Sequence, residues 1–279
     1  MLTSKLPNVG TTIFTTMSQL AADTGALNLS QGFPDFDGPE ALREALTRHV
    51  MAGHNQYAPM AGLPALREQV AAKVAGLYGR QVDVASEITI TPGATQAIFC
   101  AIQAVVRPGD EVIVFDPCYD SYEPSVQLAG GTCIHQQLSL PDFRIDWQRL
   151  ADAITPRTRM IVLNTPHNPS GALIDGGDLD RLAALIRERD IYLLSDEVYE
   201  HLVFDNEQRV KRIQRGVQRL GRDHRFDVKV AVDLDGQRHG VEAGGDVDVA
   251  GRADVGLDLE ALADDARPHV VGIAAPRRR

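Results

Sequence analysis

The residues best placed to do chemistry sit where short apolar runs break into polar turns. Tyr192-Leu193-Leu194-Ser195 runs into Asp196, and Tyr199 follows three residues later. Ile191 to Leu194 is too short for a helix and is bounded by the charged pair Arg189-Asp190, which suits a buried parallel strand. A carboxylate at the carboxyl end of such a strand lies on the edge where open α/β sheets bind ligands. The competing role is structural: Ser195 or Asp196 would cap a following helix, with Glu197 in its first turn.

Three other turns share this placement. Thr91-Pro92-Gly93-Ala94-Thr95-Gln96 joins a strand to a helix, so the amides of Ala94, Thr95 and Gln96 would point beyond the strand as a phosphate cradle, or simply open an ordinary helix. In Asn164-Thr165-Pro166-His167-Asn168-Pro169-Ser170-Gly171 the prolines and glycine make a turn, and Asn168 offers both a donor and an acceptor. Asp116-Pro117-Cys118-Tyr119-Asp120-Ser121-Tyr122 projects aromatics from a third strand end, where Tyr119 could stack on a flat ligand or pack at the rim.

The elements that must position these turns alternate along the chain. Residues 1–40 carry turn chemistry (Gly32, Pro34, Asp35, Gly38, Pro39) and read as an arm or linker. Helices are predicted over roughly 39–51 and 63–77, with Tyr57 in the loop between them. Strands are predicted at 88–91, 111–115, 132–138, 160–163 and 191–194, and helices at 94–106, 122–129, 146–154 and 179–189. This alternation predicts an α/β fold with a mostly parallel sheet and helices on both faces.

With 44% hydrophobic residues in 279, the chain has ample material for a packed core. A formal net charge of −10 argues against nucleic-acid or anionic-membrane partners, which call for a basic face. No apolar stretch approaches a membrane span and Met1 to Gly10 lacks a signal-peptide segment, so a cytoplasmic protein is expected. Cys100, Cys118 and Cys133 lack the paired spacing of a metal or disulfide framework and are expected to be small core residues.

Taken together, these motifs resemble the fold-type I, pyridoxal-phosphate-dependent aminotransferases of class I/II over about residues 5 to 205. Asn28-Leu29-Ser30-Gln31-Gly32-Phe33-Pro34-Asp35-Phe36 is similar to the branch with kynurenine/glutamine and methionine aminotransferases. The resemblance implies that Gly93, Ala94 and Thr95 bind the cofactor phosphate, where amides and the helix dipole favour a dianion. It implies that Tyr119 stacks on the pyridine ring, that Asn168 and Tyr199 bond its phenolic oxygen, and that Asp196 keeps its nitrogen protonated. Tyr57 would reach the phosphate of the neighbouring subunit in a homodimer, and Gly32 would line the substrate carboxylate pocket. Amino acids and 2-oxo acids are the implied substrates. Another fold-type I activity (a carbon–sulfur lyase or decarboxylase) and a non-catalytic remnant that binds the cofactor or a partner are the alternatives.

Family members present a Ser-x-x-Lys motif thirty to forty residues beyond the position of Tyr199, and its Schiff-base lysine moves the proton. Here the lysines are Lys5, Lys73, Lys211 and Lys229, and none follows a serine at that spacing after Tyr199. Residues 206–279 contain no Ser, Thr, Tyr, Trp, Met or Cys. Apart from Asn206, Lys211, Ile213, Phe226, Lys229 and Ile273, each is a type that a codon beginning with G or C can encode. A GC-rich gene read in a frame that moves its third codon position into first place would write this alphabet. The expected organisation is therefore an arm (1–40), a partial cofactor-binding large domain (41–205) and an unmatched tail (206–279) read as out-of-frame, with the small domain missing. A genuine acidic tail is the alternative, with local strand from its Asp-Val alternation but poor packing.

Overall fold

Strands that are apolar on both sides need a helical layer on each face, and the chain supplies both. The computed structural model describes residues 3–31 and 36–200, together with the backbone of 226–233 and 269–276. Three helices come first, α1 (Ile13–Thr24), α2 (Glu40–Met51) and α3 (Pro64–Tyr78). Then follow β1 (Ile88–Thr91), α4 (Ala94–Val105), β2 (Glu111–Asp116), α5 (Tyr122–Leu128), β3 (Thr132–Gln137), α6 (Trp147–Ala153), β4 (Thr158–Asn164), α7 (Gly176–Ile186) and β5 (Tyr192–Asp196). With β6 (Phe226–Asp233) and β7 (His269–Pro276) they build a seven-stranded sheet in the order β1-β6-β7-β5-β4-β2-β3. Only β7 runs against its neighbours β5 and β6; the other pairings are parallel.

The pleat sorts consecutive strand residues onto opposite cores. Ile113, Phe115, Ile161, Leu163 and Leu193 pack with α3, α6 and α7, through Val70, Val74, Leu150, Leu179, Leu182 and Ile186. Val112, Val114, Met160, Val162 and Leu194 pack on the other side with α4 and α5, through Ala97, Ile98, Ala101, Ile102 and Val126. The mostly parallel sheet with helices on both faces is thus as expected.

Several details differ from the sequence reading. The segment read as an arm contains α1, capped by Thr12, whose side chain accepts from the Thr15 amide, and closed by Gly25; it buries no residue. Helix α7 begins earlier than predicted because Asp175 caps it, accepting from the Asp178 amide at 2.9 Å. Cys118 and Cys133 are partly buried, but Cys100 is exposed. The buried stripe of α4 runs through 94, 97, 98, 101 and 102, which turns position 100 outward. Beyond residue 205, the alternating segment Phe226–Asp233 and the non-alternating segment His269–Pro276 join the sheet as β6 and β7, whereas the alternating run Asp246–Ala250 lies outside the described residues. Among the described residues, no helix is long and apolar enough to cross a membrane.

The loop before α3 is pinned by one close approach. Gly62 has φ +94°, and a Cβ there would lie 2.4 Å from Ile90 Cγ1 and 2.6 Å from Ile90 Cβ. Backbone strain and overlap with a strand residue act together. Gly62→Ala is expected to destabilise the fold by about 2 kcal/mol or more, read from urea unfolding; an unchanged midpoint would contradict the assigned packing.

Candidate active site

Because β1, β2, β4 and β5 run in one direction, Thr91, Asp116, Asn164 and Asp196 end on the same edge of the sheet. Helix α4 starts there from Gly93, whose φ of 89° is open to glycine and strained for other residues. Gly93, as the N-cap, has no side chain with which to cap the helix. The Thr91 hydroxyl donates to the Gly93 carbonyl at 3.0 Å, which fixes the turn. A helix start built this way favours an anion through its dipole and first amides.

Tyr119, from the loop after β2, reaches that helix start, its phenol 3.3 Å from the Thr95 hydroxyl. Its ring meets Tyr122 edge to face, with centroids 5.8 Å apart and planes at 75°. Tyr122 is buried in the first turn of α5 and donates to Asp196 Oδ2 at 2.5 Å. Burial, together with the Asp196 carboxylate, pushes the Tyr122 phenol far above its ordinary value, so it remains a donor.

Asp196 is 4% exposed and closes β5. Its carboxylate accepts from the Val198 amide at 3.3 Å, a local turn two residues long. Residues 198–200 form a turn, and any helix opened by a cap at Ser195 or Asp196 would run beyond residue 200, outside the described residues. The Asp196 carbonyl accepts from Asn164 Nδ2 at 3.0 Å and from the Thr165 amide at 3.1 Å, which locks the β4 loop to β5. Asn164 Oδ1 accepts in turn from the Asn168 amide at 2.6 Å. Asn168 Nδ2 then donates to the Tyr199 hydroxyl at 3.3 Å, joining the amide and phenol that the sequence set 31 residues apart. Burial, then the charge of Asp196, raises the Tyr199 phenol.

Gly93, Ala94, Thr95, Tyr119, Asn168, Asp196 and Tyr199 thus share one edge. Tyr57 stands apart, fully exposed in the loop before α3. Gly32 lies outside the described residues. Sequence reasoning missed the supports. His167 holds two loops together, bonding Ser170 Oγ through Nδ1 at 2.6 Å and the Pro117 carbonyl; burial lowers its affinity for a proton. Tyr122 follows Tyr119 across a turn in which its amide donates to the Tyr119 carbonyl at 3.3 Å.

Beneath the edge lies Glu197, completely buried, with Oε1 accepting from the Ser195 hydroxyl at 2.8 Å. Its Oε2 has no hydrogen-bond partner among the described residues. Glu200, also buried, accepts a bond from the Tyr78 phenol of α3. Burial first, and then the neighbouring charge of Glu200, hold Glu197 well above the usual carboxylate range; the Ser195 hydrogen bond opposes them and the Asp196 charge adds the least.

A helix start that favours an anion, an aromatic face, a donor pair and a buried carboxylate thus stand together on one edge of the sheet. The sequence model of aminotransferase class I and II matches residues 24–233. The chain belongs to that family, whose members use pyridoxal phosphate. It is 54% identical over 204 residues to a methionine aminotransferase of Escherichia coli, covering 73% of this chain and 53% of that protein. It is 37% identical over 208 residues to mouse kynurenine–oxoglutarate transaminase 1, covering 69% and 49%. The crystal structure of YbdL from Escherichia coli, identified as having a methionine aminotransferase function, superposes with a TM-score of 0.79 at 42% identity, over 99% of this chain and 64% of that one. The chain therefore spans about half the length of the curated relatives it matches.

The raised Glu197 carboxyl has a consequence for stability. The folded state retains a proton that the unfolded glutamate releases near its ordinary value of 4.5. Stability is therefore complete below that pH and is lost as pH rises through the higher folded-state value. Glu197→Gln is expected to flatten this decline, measured as urea midpoints at acidic and neutral pH; parallel profiles for both proteins would refute a raised Glu197.

Proposed function

We propose that this chain carries the cofactor-binding part of an enzyme that moves an amino group between an L-amino acid and a 2-oxo acid. The observation that carries the reading is the union of the α4 start, Tyr119, the Asn168–Tyr199 pair and Asp196 on one edge. Gly93, Ala94 and Thr95 would hold the phosphate, and Tyr119 would lie against the ring. Asn168 and Tyr199 would donate to its phenolic oxygen. Asp196, supported by Tyr122, would keep a proton on the ring nitrogen. The cofactor, when bound, supplies an electron sink for the α-carbon of the amino acid. The similarity to a methionine aminotransferase makes methionine the first amino donor to assay.

The partner in this reading is a second copy of the chain, in the cytoplasm. Tyr57 is fully exposed, and Ile13, Leu20, Leu27, Leu29 and Met60 leave apolar surface along the N-terminal elements. A homodimer would cover them and bring Tyr57 to the neighbouring phosphate.

The chain as it stands is read as nearly inactive in transamination. No Ser-x-x-Lys follows Tyr199, and a positioned proton-transfer group is worth on the order of 10² to 10⁴ in rate. Residues 206–279 are read as an out-of-frame translation that replaces the segment bearing the lysine. A non-catalytic protein that still holds the cofactor is the second reading, favoured by an edge assembled without that lysine.

Two measurements test these statements. Pyridoxal phosphate titrated into the full chain is expected to bind weakly, to escape borohydride trapping, and to bind at least about tenfold more weakly after Asp196→Asn. Absence of binding, or equal binding by the variant, would refute the cofactor site. Trapping on a lysine would refute the lysine-free reading. Resequencing the gene across the codons for Val198 to Arg215 is expected to reveal a frame encoding Ser-x-x-Lys beyond them. Its absence from a clean read would establish the tail as genuine.

A further inference from the structure

We propose that Asp116, Cys118 and His135 form a binding site for one divalent cation of borderline softness, Zn²⁺ being the best match, at the β2–β3 edge of the sheet. A carboxylate oxygen, the thiol sulfur and an imidazole nitrogen lie within 4.8 Å of one another. His135 Nδ1 is 3.0 Å from Asp116 Oδ1 and 3.1 Å from Oδ2. An oxygen, nitrogen and sulfur set of this kind suits Zn²⁺ and excludes the hard cations Mg²⁺ and Ca²⁺, which take oxygen alone.

The fold builds the cluster. Val114 pairs with His135 across the parallel ladder, and Asp116, two residues on, leaves the same side of β2. The chain turns at Pro117 and brings Cys118 back to them. Behind the imidazole stands Glu123 of α5, with Oε2 3.9 Å from Nε2. At that distance Glu123 makes no hydrogen bond to the ring and adds only a negative charge beside the cluster.

Charge also matches. Asp116 and a Cys118 thiolate would carry two negative charges against the dication, with neutral His135 completing the set. Binding forms the S–metal bond and releases the thiol proton to solvent, with no change of oxidation state. Three protein ligands leave a fourth position open to water. Because Cys118 immediately precedes Tyr119, an occupied site would also anchor the loop that carries the aromatic face of the cofactor site.

The plain alternative is a hydrogen-bonded Asp116–His135 pair that binds nothing, and titration separates the two. The reduced, metal-free full chain is titrated with Co²⁺ as a spectroscopic probe. One equivalent is expected to bind with a near-ultraviolet thiolate-to-metal band, which Zn²⁺ then displaces. Cys118→Ser should abolish the band, and His135→Gln, on an exposed edge strand where folding is little affected, should weaken binding by about tenfold or more. Cys100→Ser should leave it unchanged. No band in the unaltered chain, a band that survives Cys118→Ser, or equal affinity in His135→Gln would each overturn the proposal. None of these outcomes depends on pyridoxal phosphate, so the site stands or falls apart from the aminotransferase reading.

Discussion

A carboxylate buried at the end of a parallel strand must be satisfied, and much of the active edge is what satisfies Asp196. At 4% exposure it has little water to draw on, and an unpaired charge there would be prohibitive. Its carboxylate takes a phenol from α5 and an amide from its own turn. Its carbonyl takes two donors from the β4 loop. Those bonds fix Asn164, which fixes Asn168, which meets Tyr199. One charged residue thereby sets the relative positions of three loops. It is also the residue for which a ligand with a positive ring nitrogen would be the natural partner.

This dependence explains what the sequence made legible. The strand ends were readable because each apolar run stops at a polar or turn residue, and the topology rule puts the carboxyl ends of parallel strands together. The placement of Asp196, Asn168, Tyr119 and Gly93 on one edge follows from those local signals. The supports were not readable in the same way. Tyr122 acts on a residue 74 positions away, and the Tyr78–Glu200 bond spans 122 positions. No local pattern encodes such pairs, since they exist only after both sheet faces are packed. Glu197 reads in sequence as an ordinary helix-start acid; its burial comes from the tertiary fold.

The N-terminal helix α1 escaped for a different reason. Its cap and closing glycine are local signals, yet Gly32, Pro34 and Asp35 nearby dominate the composition of the segment. Helix prediction by burial also has nothing to work with, because Ile13 is 66% and Leu20 52% exposed. A helix whose apolar side meets no core among the described residues leans on its caps within them.

The strands beyond residue 205 raise a subtler point about what completes a sheet. β1 and β5 would each present a row of unpaired backbone groups if nothing lay between them, and such edges attract any extended segment. Residues 226–233, read as Phe-Asp-Val-Lys-Val-Ala-Val-Asp, have the period-two alternation that pairing requires. β7 pairs with β5 and β6 in the antiparallel sense, which shows how little direction matters to the hydrogen-bond ladder. Pairing is made by backbone groups that all residues except proline share. A sheet can therefore close over segments of many sequences, whereas catalysis needs particular side chains at particular places. Architectural completeness and chemical completeness are separate properties, and in this chain the first is no evidence for the second.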